Sequence, residues 1–78
     1  MTTLPLDDTS IQMHRAESHA VLATEAAAIA FDLAGRRHWA EAAIIRASAR
    51  NHRIRQLEIL ANIEAAKALF VRHQPSRA

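Results

Sequence analysis

The sequence contains no cysteine and no tyrosine, a single glycine and only two prolines. Without cysteine, neither disulfides nor thiolate metal centres can brace the fold. A single glycine, Gly35, leaves no room for a glycine-rich phosphate-binding loop. The prolines, Pro5 and Pro75, lie near the ends, so nothing between them forbids a long helix. Aromatic residues make up 4% of the chain, too few for a stacking platform that reads nucleic-acid bases. No apolar run approaches the ~20 residues of a membrane span. The first ten residues, MTTLPLDDTS, have neither the basic region nor the apolar core of a secretory signal, and a cytoplasmic location is expected.

What remains is rich in alanine, the strongest helix former. No β-branched run alternates with polar residues, so an all-α fold is expected, with residues 1–78 as one domain. Thr9 and Gln12 have capping-box spacing behind Asp7 and Asp8, and the first helix is expected over about 10–34. Gly35 suits a left-handed cap, the turn is placed at 35–37, and a second helix at about 38–73, ahead of Pro75. So short a connection favours an antiparallel hairpin. Asn51 and His52 mark a candidate kink near 50–53, which would divide the second helix.

In the first helix, Ile11, Ser18, Leu22, Ala26, Ile29 and Leu33 form one line. Ala16, Ala20, Ala23, Ala27, Ala30 and Ala34 form a second, a heptad seam made wholly of alanine. The second helix also carries two lines, nearly opposite. Ala43, Ala47, Ile54, Leu57, Ala61, Ala65 and Ala68 make one; Ile45, Ile59, Ile63 and Phe70 make the other, with His52 and Gln56 between. One neighbouring helix covers one line only. Ile45, Ile59, Ile63 and Phe70 are therefore expected at a dimer or partner interface, most simply in a four-helix bundle of two hairpins.

Charge is divided along the chain. Residues 1–35 hold five acids and one base, whereas residues 36–56 hold six arginines and one acid, Glu41. Either the two blocks neutralise each other across the hairpin, or the arginines serve a partner. Arg46, Arg50, Arg53 and Arg55, together with Trp39 beside the turn, are the candidate partner-binding residues, since arginine and tryptophan dominate interface hot spots. For Trp39 the alternative is packing against Phe31 or Leu33 at the bundle end.

Catalytic and metal signatures are missing from this pattern. No two of His14, His19, His38, His52 and His73 have the i,i+4 spacing of a helical zinc site, and each reads as a surface or boundary residue. Ser10, Ser18, Ser48 and Ser76 have no evident base and orienting group. No enzyme activity, cofactor or metal is expected.

The stretch FDLAGRRHWAEAAIIRASARN, residues 31–51, resembles the leucine–glycine–aromatic–alanine turn of helical-hairpin proteins, Trp39 being its aromatic. Tetratricopeptide units have a comparable pattern, but one turn does not make a repeat array. The stretch is similar to small negative regulators of AraC-type activators from enteric bacteria and phages, and in size to phage anti-activators of quorum sensing and inhibitors of pilus assembly. That resemblance implies a small inhibitor acting by protein contact. The expected function is therefore a non-catalytic modulator that occludes a functional surface of a transcription regulator or another protein, with a hairpin dimer binding RNA or DNA through its arginines as the alternative.

Overall fold

The computed structural model describes residues 8–72, with the side chain of Arg72 excepted. Two helices make up the hairpin: α1, Asp8–Gly35, and α2, Trp39–Arg72. Thr9 lies inside the first turn of α1 and does not cap it; the position before Asp8 is outside the described residues, as are His73 and Pro75. Helix α2 runs unbroken through Asn51 and His52. Both residues tolerate helical backbone, and without an interior proline nothing forces a kink.

The turn corrects one expectation. Gly35 keeps helical backbone, and the left-handed residue is Arg37, with φ 65°. The His38 amide donates to the Leu33 carbonyl at 2.9 Å, and the Arg37 amide to Ala34 at 3.0 Å. This pair of bonds is a Schellman motif with an arginine where glycine is usual. The His38 carbonyl then accepts from the Ala42 amide at 2.9 Å, so one residue ends the first cap and begins α2.

The packed seam follows strict heptad spacing on both helices. On α1 it passes through Gln12, Ala16, His19, Ala23, Ala26, Ala30 and Leu33, all buried or half-buried. On α2 it passes through Ala42, Ile45, Ala49, His52, Gln56, Ile59 and Ile63, likewise buried or half-buried. Among the described residues, Ala16, Ala23, Ala30, Ala42 and Ile63 are the buried ones. Alanines at every second position of α1's seam let the helix axes approach closely, as small side chains do. The larger residues of α1's other line, Ile11, Leu22 and Ile29, are left exposed.

The Cα envelope measures 65 × 29 × 13 Å. Its least dimension is one helix thick, so each helix has a single neighbour and turns its far side to solvent. The pairing of two hairpins into a bundle belongs with the proposals below.

Candidate functional site

The two apolar lines of α2 exchange the roles that their sequence pattern suggests. Ile45, Ile59 and Ile63 lie on the face turned to α1; Ile63 keeps 6% of its surface and the other two are half-buried. They fill the hairpin's own seam and are not free for a second chain. Phe70, next in that line beyond Ile63, is 66% exposed. The opposite line, with Ile54 at 53% and Leu57 at 57%, is the one left open. It forms a second, outward heptad row along α2, from Ala43 and Ala47 through Arg50, Ile54, Leu57, Ala61, Glu64 and Ala68 to Val71.

Arg46, Arg50, Arg53 and Arg55 are all exposed. Helical spacing places Arg46 and Arg53 in one row beside the α1 alanines Ala20 and Ala27, and Arg50 next to them on the outward row. Arg53 donates to the side-chain Oε1 of Gln56 at 3.0 Å, and no carboxylate lies within ion-pair distance of Arg46, Arg50 or Arg53 among the described residues. Arg55 falls on the other side of α2 and pairs with Glu58 at 4.0 Å.

Every ion pair among the described residues joins neighbours three or four apart on the chain: His14–Glu17, Asp32–Arg36, His38–Glu41, Arg55–Glu58 and Glu64–Lys67. Among the described residues no acid of α1 pairs with an arginine of α2, so Arg46, Arg50 and Arg53 are left without a carboxylate. The one pair that joins the acidic and the basic block is the local Asp32–Arg36 contact beside the turn.

Beside the turn, Trp39 is 63% exposed and Phe31 82%. Packing of the indole into the hairpin end is thus not observed; the ring stands largely in solvent. Ile44, one turn further along α2, is likewise exposed.

One polar feature of the seam escapes sequence reasoning. His19 of α1 and His52 of α2 meet with 2.9 Å between their Nδ1 atoms and 5.1 Å between ring centroids, at 33° to each other. A hydrogen bond at that distance requires one ring to carry a proton on Nδ1 and the other to present a bare Nδ1 as acceptor. Taken singly, each histidine reads as a boundary residue. The available signal is that both occupy heptad seam positions, which becomes visible only once the two seams are set antiparallel. Three or more histidines and carboxylates grouped as metal ligands do not occur among the described residues.

A solvent-open groove runs along one flank between the helices, lined by Gln12, Arg15, His19, Arg55, Glu58 and Asn62 among others. It encloses no volume in which a small substrate would be desolvated. Among the described residues no helix is long and apolar enough to cross a membrane. The chain matches no known protein-family model, and nothing similar is found among curated proteins or solved structures.

Proposed function

We propose that this protein is a small, non-catalytic protein-binding modulator, acting in the cytoplasm by covering a surface that its target needs. The observation that carries this reading is the inversion of the usual apolar distribution. Among the described residues five are buried, four of them alanine, while Phe31, Trp39, Ile44, Phe70 and Val71 each keep more than 60% of their surface. A contact protein uses such side chains as anchors, with arginines beside them to steer encounter and set specificity. Arg46 and Arg53 are suited to that role because their charge is not spent within the chain. The target class suggested by the resemblance of residues 31–51 is a transcription regulator, for example an activator whose own dimer interface is helical.

One observation favours a second reading, in which RNA or DNA is the partner. The uncompensated arginines 46, 50 and 53 rise along α2 at a spacing that could follow phosphates.

The test is affinity capture from the native host, with and without nuclease, comparing the wild-type chain with the double substitution Arg46→Glu, Arg53→Glu. A single protein retained after nuclease treatment, released by the double substitution and only mildly weakened between ~50 and ~200 mM salt, is the expected result. Loss of capture with nuclease, or affinity that falls by powers of ten over that salt range, would establish the nucleic-acid reading instead. Capture unchanged by the double substitution would show that the arginines are only a solvated face.

A further inference from the structure

We propose that the outward row of α2 is an interface with a second copy of this chain, packed antiparallel about a two-fold axis beside Leu57. The argument starts from the row's spacing. Its members recur every three and four residues from Ala43 to Val71, the repeat by which one helix presents a continuous seam to another. That stretch is about 42 Å long at 1.5 Å per residue. All its members are apolar except Arg50 and Glu64, which carry opposite charge and stand seven residues to either side of Leu57.

This symmetry makes the row complementary to itself in one direction only. Run antiparallel, Leu57 meets Leu57 of the second copy, and Ile54 and Ala47 come within one residue's rise of the level of Ala61 and Ala68 of that copy. In the same register Arg50 lies opposite Glu64 of the second copy, and the two-fold axis repeats that pair. Run parallel, Arg50 would face Arg50 and Glu64 would face Glu64, both destabilising. The unlike pairing of sizes, a large residue opposite an alanine, also fits a close-packed layer.

The row is accessible, since Ile54 and Leu57 each expose more than half their surface, and Arg50 has no carboxylate partner among the described residues. Arg46 and Lys67 of the second copy flank the interface with like charge. Lys67 already lies 3.4 Å from Glu64 of its own chain, which offsets part of that repulsion. An isologous contact of this kind closes at two copies and does not propagate.

Charge reversal tests the register without disturbing the hairpin seam, because Arg50 and Glu64 are both exposed. Sedimentation equilibrium should find the wild-type chain dimeric. Arg50→Glu alone and Glu64→Arg alone should each weaken the dimer about tenfold or more, every attractive pair having become repulsive. An equimolar mixture of the two single variants should form a heterodimer of near wild-type affinity, and so should the homodimer of the double variant. Direction is read by cross-linking, since the natural sequence has no cysteine. Ala47→Cys mixed with Ala68→Cys should form a disulfide between chains, whereas Ala47→Cys alone should not. A monomeric wild type, affinity indifferent to both reversals, or self-cross-linking by Ala47→Cys would each overturn the proposal.

Discussion

The turn offers a perturbation whose sign follows from backbone geometry alone. Gly35 has helical backbone, and an added Cβ there would meet nothing within 4 Å. Gly35→Ala removes conformational freedom from the unfolded chain at no steric cost; close to the helix end it should stabilise by about 0.5 kcal/mol. Arg37 has the opposite problem, since at φ 65° its Cβ crowds the following carbonyl. That crowding costs about 1–2 kcal/mol, and Arg37→Gly relieves it while returning some freedom to the unfolded state, for a net gain of about 1 kcal/mol. Together the two changes move the glycine two residues and should add about 1.5 kcal/mol. At 4–8 °C per kcal/mol for a chain of this size, Tm should rise by roughly 6–12 °C. Both single variants are needed, because positions two apart in one cap are coupled. Thermal unfolding followed by circular dichroism at 222 nm, at one fixed protein concentration, measures the effect. A lower Tm for Arg37→Gly would mean that the cap forms at Gly35 after all, and the assigned turn would be wrong.

The seam supplies the remaining predictions. Replacing either His19 or His52 by leucine leaves the other ring half-buried without its partner and should lower stability by about 1–3 kcal/mol, whereas replacing both should be neutral or stabilising; a double-mutant cycle by urea unfolding would read the coupling, and additive losses would show that the rings do not interact. Ala23→Leu should force the helices apart and destabilise by about 1–3 kcal/mol, visible as a lower urea midpoint. Ile63→Ala should cost about 2 kcal/mol or more and Phe70→Ala less than about 0.5 kcal/mol in the monomeric hairpin, a contrast that equal losses in the same assay would abolish.

Much of the fold is legible in composition. One glycine, no internal proline and abundant alanine leave a helical hairpin as the simplest outcome, and at the turn the helix ends fall within one residue of the expected ones. The inward face is less legible. On α1 the sequence offers two adjacent lines, and the structure buries Ala16, Ala23 and Ala30 of the alanine seam while Ile11, Leu22 and Ile29 of the other stay exposed, because close approach of two axes selects for small side chains. On α2, the seam includes His52 and Gln56, which dilute its apolar signal, while the opposite row through Ile54 and Leu57 looks equally suited to burial. Only the fit between helices decides between them, and a single helix's periodicity does not contain that fit. The arginines follow the same logic: their exposure is readable from spacing, but their lack of acidic partners depends on which side of α1 faces them.

Four methyl groups and one isoleucine are a slender centre for a folded chain. A centre this small predicts marginal stability, so that an associate binding the closed hairpin would hold it out of reach of proteases. Its abundance would then track that of whatever it grips: copies made in excess would be degraded, and those engaged would persist. The alanine seam would thereby set the dose as well as the shape.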